Sequence, residues 1–492
     1  MASAFAGLLT RLRRFAARLS SPVAPAHLVI RGVTTLACGE VLARVAAFGA
    51  TAVLARRLGP AGFGIVGFAA ALCGYLALAV HAGLQEVGVR EVARAPERAG
   101  ELYSSVATVR LMLAGAAFLL LACVAWFLPK PVEVRWVVLL SGLSFFSLAV
   151  DPGWVLRGLE RTTAVAVGLV LAQVIYGALV FLFVHQPTDV AWVPVLQFGG
   201  ELAAAAGLVR AVGRRVRPGG GCADGIRVLK HAAPLGLARA FRTIVVTFDV
   251  VLLGFLATSR EVGLYSAAYR LTFLLMSVVA SISAAYMPSY ARVVDEGARP
   301  TRRLMEASLA TGALIGAPLI IGVIVTAPAL IELLFGAAYV EAATALRLLT
   351  LSVGLIFVYW IAGNLLIVVH RIGTYAKMQA VAAAVNIGLN LVLIPRFGIS
   401  GAALATLASE LTVVCAAFVV MRRLRLMPSM RSLARPGGAA MAMGVGVWAA
   451  APYVALPAQI AIGVALYVGG LAMFGQKVQF GYILGRSATS GL

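Results

Sequence analysis

Runs of about twenty apolar residues recur from one end of this 492-residue chain to the other, separated by short polar breaks. A helix rises about 1.5 Å per residue and the hydrocarbon core of a bilayer is about 30 Å thick, so each run is long enough to cross it. The windows are 33–55, 63–84, 104–128, 136–156, 162–184, 190–210, 233–257, 263–287, 304–326, 345–369, 374–394, 399–421, 436–454 and 457–476. A helix satisfies its own backbone in lipid. The reading is therefore all-α: a polytopic membrane protein of about fourteen transmembrane helices. Composition agrees, since 12% of residues are charged where a soluble domain carries about 25%.

Charge gives orientation. With the N-terminus inside, the inner segments hold 29 Lys and Arg and the outer loops 6. Such a bias places both termini in the cytoplasm of a cell (inner) membrane protein. Arg56 and Arg57 fall in an outer loop and are the exception. Net charge +22 then reflects topology and anionic headgroups, not nucleic acid. Arg11, Arg13, Arg14 and Arg18 lie on an amphipathic pattern, read as a helix on the cytoplasmic surface or as a disordered basic tail. Four of the five cysteines lie in apolar runs and the fifth, Cys222, in a basic loop, with no Cys/His spacing. Neither a disulfide framework, a metal site nor a cofactor is expected. No phosphate-cradling GxxxxGK[ST] loop occurs, so the chain is not expected to hydrolyse ATP.

A weak internal repeat divides the chain. Residues 54–70 (LARRLGPAGFGIVGFAA) and 256–269 (LATSREVGLYSAAY) each end a helix in Leu-Ala, turn, and open the next helix on a Gly-aromatic pattern. Aligning Gly62 with Gly263 gives an offset of about 201 residues, or six helices, so the halves share one orientation. The expected organisation is a cytoplasmic tail 1–27, an N-lobe 28–211, a basic linker 212–232, a C-lobe 233–425, and two appended helices with a cytoplasmic tail, 426–492.

Polar groups inside the apolar runs are costly and need a reason. Glu40 and Arg44 are spaced i,i+4: an ion pair that locks packing, or a cavity cation modulated by Glu40. Arg239, Arg242 and Asp249 share one face of helix 7, as a hydrated cavity wall, or with the arginines reaching the headgroups and Asp249 paired to an arginine. Arg110 and Arg270 are expected to extend toward a membrane face, and Glu201 and Glu410 to lie near an edge or be paired. His81 and Gln85 end helix 2 on one face. Gln379, Asn386 and Asn390 on helix 11, and Asn364 on helix 10, either contact sugar hydroxyls or join helices.

Five stretches resemble the polysaccharide-transporter (oligosaccharide flippase) family of the multidrug/oligosaccharidyl-lipid/polysaccharide exporter superfamily: LARRLGPAGFGIVGFA (54–69), WVLRGLERT (154–162), DVVLLGFLATSREVGLYSAAYRL (249–271), LIELLFGAAYVEAATALRLL (330–349) and NIGLNLVLIPRFGISGAALATLASE (386–410). The resemblance implies two six-helix lobes around a central cavity, worked by alternating access. It implies a polyprenyl-linked oligosaccharide as cargo, flipped from the cytoplasmic to the outer leaflet for surface polysaccharide biosynthesis. Glycosyltransferases and a polymerase of the same pathway would be its partners. Arg44, Arg239 and Arg242 would bind the pyrophosphate, because guanidinium suits phosphate oxygens. Glu40 and Asp249 would modulate charge or couple an ion, and Asn364, Asn386 and Asn390 would contact glycan. Three other readings compete: an ion-coupled small-molecule exporter, a membrane polymerase or ligase, and a scaffold. The short outer loops count against the polymerase, and the charged helix faces against the scaffold.

Overall fold

The structure is a computed structural model. It describes residues 25–213 and 222–473; the side chains of 25–33, 86, 222–223, 233–247 and 372 lie outside that description. Helices account for nearly all of it, and no strand occurs among the described residues. In chain order they are α1 (Pro25–His81), α2 (Leu84–Arg94), α3 (Ala99–Phe127), α4 (Val132–Ser141), α5 (Ser144–Val150), α6 (Gly153–Gly158), α7 (Thr162–Phe183), α8 (Trp192–Val212), α9 (Cys222–Leu256), α10 (Ser259–Val293), α11 (Ala298–Phe335), α12 (Ala342–Val368), α13 (Ile372–Arg423), α14 (Arg431–Ala450) and α15 (Leu456–Met473). "Basic face" below means the side of the bundle carrying the arginine-rich turns; "far face" is its opposite.

Ten stretches among the described residues are long and apolar enough to cross a membrane. Two of these are pairs of arms meeting at a glycine. Gly59 (φ 66°) breaks α1, and Gly398 (φ 53°) breaks α13. Left-handed φ is cheap only for glycine. Pro60, directly after the first break, sits where a missing N–H costs nothing. With each arm counted, and with α9 and α14 included, all fourteen sequence windows are occupied.

Helix 4 is the least regular. It is the succession α4, α5 and α6, broken before Gly153 at Asp151-Pro152, because proline removes a donor and restricts the residue before it. The freed groups find partners. Tyr103 Oη donates to the Val150 carbonyl at 2.7 Å, and Asp151 Oδ1 accepts from the Gly153 N–H at 3.0 Å.

The repeat is clearer in the fold than in the sequence. Turns on the basic face end in a non-glycine residue at positive φ: Glu160 (58°) between α6 and α7, and His370 (56°) between α12 and α13. In each the next N–H reaches back to a carbonyl, Arg161 to Leu156 and Arg371 to Leu366, both at 2.8 Å. This is one helix-ending motif used at equivalent places in the two lobes.

The first six transmembrane helices pack mainly on one another, as α1 does on α7 and α7 on α8; the next six pair α10, α11 and α12 with each other and α12 with α13. The appended α14 and α15 pack on α11, through Ala439, Ala440, Met443 and Val447, with Tyr467 Oη donating to the Leu314 carbonyl at 2.8 Å.

Between 84 and 103, read from sequence as loop, the chain forms α2. Leu84, Val87 and Val92 are buried while Arg90 and Arg94 remain exposed. This short amphipathic helix lies under the first lobe, with Gly88 close against the Trp154 ring and Val92 against Gly158. Eleven residues are too few to show against the longer apolar runs on either side.

Candidate functional site

The lobes touch at both faces. At the far face the start of the second arm of α1 crosses the start of α10. A Cβ on Gly64 would fall on the Ser259 carbonyl, and one on Gly263 on the Pro60 carbonyl. The two segments that carried the repeat thus pack on each other. Tyr339 Oη donates to the Ala55 carbonyl at 2.9 Å, and Lys130 Nζ to the Ala257 carbonyl at 3.5 Å. At the basic face the foot of α9 leans on the first lobe. Gly225 lies against the Ser105 carbonyl, and Val228 and Ala232 join the cluster of Leu84, Val92 and Trp154.

Arg56 and Arg57, the exceptions to the charge rule, serve helix ends. Arg56 donates to the Leu333 carbonyl and, at 3.2 Å, to that of Leu334, near the end of α11. Arg57 donates to the Phe181 and Val184 carbonyls at 2.6 and 2.5 Å and stands over the Phe181 ring at 4.7 Å, closing α7. Cations are favoured there because the last carbonyls of a helix carry partial negative charge.

Glu40 and Arg44 meet as their spacing predicts, at 3.6 Å, with both side chains about half exposed. The pair is therefore accessible, and Arg44 is not locked in a packed core. The backbone places Arg239 and Arg242 in α9, but their side chains lie outside the described residues.

Arg110 and Arg270 depart from expectation. Arg110 is completely buried in α3 and does not extend to a headgroup. Asp151 feels its charge together with that of Arg157, so burial is compensated inside the lobe. Arg270 lies eleven residues into α10, about 16 Å along the helix and near mid-membrane. It is exposed, and its charge acts on Tyr176 of α7 in the other lobe. Position within the apolar run could have located Arg270, but only the packing shows that it turns to the opposite lobe.

Asp249 is 4% exposed and bonds to Tyr265 Oη, not to an arginine among the described residues. Its other oxygen accepts from the Val250 N–H at 2.9 Å, and Thr406 also reaches it. A cavity of about 80 Å³ beside it is lined by Asp249, Gln379, Asn386, Thr406, Ser409 and Glu410, among others. Asn390 Nδ2 donates to Asn386 Oδ1 at 2.9 Å, while the fully buried Asn390 Oδ1 has no partner among the described residues. One oxygen of Glu410 is likewise buried without a partner among them. The pocket sets the carboxyls of Asp249 and Glu410 among hydroxyl and amide side chains that can donate or accept. Asn364 plays the other role weighed for it. Its amide exchanges bonds with Ser283 Oγ of α10 at 2.8 and 3.1 Å, joining α12 to α10.

A family model described as "Polysaccharide biosynthesis protein" matches residues 29–294, more than half of the chain. The chain belongs to this family. A protein of Escherichia coli named for O-antigen transport is 22% identical over 386 residues, 76% of this chain and 92% of that protein. One of Shigella dysenteriae with the same name is 26% identical over 223 residues, and there the match spans only 56% of the relative. A protein of Haloferax volcanii named as a low-salt glycan biosynthesis flippase is 24% identical over 162 residues, 33% of this chain and 34% of that protein. Among solved structures, the lipid II flippase MurJ in an inward closed conformation superposes with TM-score 0.74 at 12% identity, covering 91% of this chain and 99% of that one. An inward-facing multidrug transporter of the MATE family gives 0.63 at 15% identity, covering 78% and 94%. The fold is the one these two transporters share.

Proposed function

We propose that this chain is a flippase carrying a polyprenyl-(pyro)phosphate-linked oligosaccharide from the cytoplasmic to the outer leaflet, with the basic face in the cytoplasm. The observation that carries the reading is the placement of accessible cations at membrane depth on both lobes: Arg44 on α1 and Arg270 on α10. A packed membrane bundle has no use for exposed guanidinium groups at that depth unless an anion visits them. Family membership and the names of the relatives support a glycan cargo. Arg239 and Arg242 join the set on α9 by their spacing. The lobes would rock against each other, the Gly64–Gly263 crossing parting as the far face opens while the basic face stays shut. No catalytic constellation is part of this reading; the work is binding and release.

Asp249 is the ion-coupling residue of the proposal, held by Tyr265 and Thr406 in a pocket of the second lobe. Glu40 tempers Arg44 so that cargo can leave. Coupling to an ion is also what an exporter of small molecules would need, and cargo separates the two. The decisive experiment is reconstitution of the full chain into vesicles with a fluorescent polyprenyl-pyrophosphate oligosaccharide. Arg44→Ala, Arg242→Ala and Arg270→Ala should each lower flipping by at least about tenfold, the worth of one charge-assisted contact, while insertion is unchanged. Wild-type flipping rates in all three variants would sink the arginine assignment.

A further inference from the structure

Helix α11 runs from the basic face to the far face, where its end grips the first lobe. Phe335, its last residue, and Tyr339, in the turn that follows, are both fully buried. Their rings stand in the crook of α1. Phe335 lies 6.2 Å from Phe48 on the first arm and 6.4 Å from Phe63 on the second, and Tyr339 lies 6.1 Å from Phe63. Arg56 on the Leu333 and Leu334 carbonyls, and Tyr339 on that of Ala55, fix the same junction. The closed far face therefore requires α11 to end where it does.

Two prolines interrupt α11 before that end, Pro318 and Pro328. Each lacks the N–H that would serve the carbonyl four residues earlier, and its ring crowds that carbonyl. The carbonyls so freed are those of Leu314 and Ile324. No water in the bilayer core can take over, so a neighbouring helix must supply the donor. Both carbonyls have one. Arg347 Nε of α12 donates to Ile324 at 3.1 Å, from within the same lobe. Tyr467 Oη of α15 donates to Leu314 at 2.8 Å, from the appended pair. The pair also covers the turns on either side of the first break. Leu314, Ala317, Ile321 and Val325 form one stripe of α11, and it packs on the cluster of Met443, Val447 and Tyr467. Helix α14 comes so near that a Cβ on Gly444 would fall on Ile321. Helices outside the six-helix lobe thus hold α11 at its proline.

We propose that the appended pair is a brace on α11, and that Tyr467 is a positioning residue for closure of the far face. Its hydroxyl occupies the carbonyl freed by Pro318 and holds α11 at the bend that seats Phe335 and Tyr339 against α1. Without that bond α11 pivots at Pro318. Its end lies about 25 Å further along the helix, so a small bend at the proline becomes a large shift at the junction with α1. The brace sets the balance between open and closed far faces. It stands whatever the chain carries, and needs no cargo to be seen.

Distances between spin labels on the far-face ends of the two lobes, measured on the full chain in lipid nanodiscs without cargo, test this directly. Tyr467→Phe removes the hydroxyl and keeps the ring, so the pair should stay packed. It should raise the ratio of open to closed far face by about fivefold, the worth of one ordinary hydrogen bond. Pro318→Ala returns the backbone donor to Leu314. In that background Tyr467→Phe should leave the distribution where Pro318→Ala alone puts it. A distribution that Tyr467→Phe does not move overturns the brace, and a lowered melting temperature beside it would mark the contact as merely structural. An equal shift by Tyr467→Phe with and without Pro318→Ala also overturns it, because the effect would then come from packing and not from the freed carbonyl.

Discussion

Asp249 shows what spacing leaves open. Its position on the stripe with Arg239 and Arg242 allowed a cavity wall or an arginine partner; among the described residues its neighbours are Tyr265, Thr406 and a small polar cavity. In the proposed function this carboxylate is the one that exchanges an ion. Asp249→Asn keeps the Tyr265 contact and removes the charge. It should cut ion-driven flipping by about tenfold or more, equivalent to about 1.4 kcal/mol, and leave cargo-independent thermal stability within about 1 kcal/mol. A variant that still responds to the ion gradient, measured in the reconstituted assay, would remove Asp249 from the coupling role. Arg110 teaches the complementary lesson. A long basic side chain is usually assumed to find the headgroups, but a buried acid nearby can keep it inside.

At the scale of elements, the crossing of α1 and α10 is the tightest feature of the far face. Backbone meets backbone at Gly64 and Gly263, so any side chain there must push the lobes apart. Gly64→Ala and Gly263→Ala should each cost about 1–3 kcal/mol of overpacking in the closed far face. They should therefore raise the population with that face open. Distances between spin labels on the far-face ends of the lobes would report it, and an unchanged distribution would show that the crossing does not gate. Part of this was readable. The Gly-aromatic pattern marked both segments as helix starts, and the repeat paired them. That the paired segments also touch follows from the pseudo-symmetry of the lobes, which a short sequence match cannot convey. Helix α2 escaped notice for the opposite reason, since its amphipathic pattern is short and lies between two much stronger signals.

The whole molecule is held at its far face by contacts of different strength. Arg260 and Glu341 form a bidentate pair at 2.7 and 3.0 Å, tying α10 to the turn before α12. The guanidinium holds the Glu341 carboxyl below its ordinary value of 4.5. Such a contribution is present above the unfolded value and is lost as pH falls through the lower folded one. Glu341→Gln should thus unfold at a lower temperature than wild type at neutral pH, and the two should converge in strong acid. A difference that persists there, by thermal melting in detergent, would refute the electrostatic account. The pair is solvent-exposed, so the gap will be small.

From sequence alone came the solvent, the number of crossings, the division into two six-helix halves with an appended pair, and the family. Those are set by the length and order of apolar runs, which lipid reads one segment at a time. Only the tertiary structure decided what the polar groups within the apolar runs do. It turned Arg270 toward the opposite lobe, folded Arg110 inside the first, joined Asn364 to a neighbouring helix and set Glu201 on the wall of a cavity. The fate of a charge within a membrane depends on what stands across from it, and that is a property of packing between helices distant in the chain.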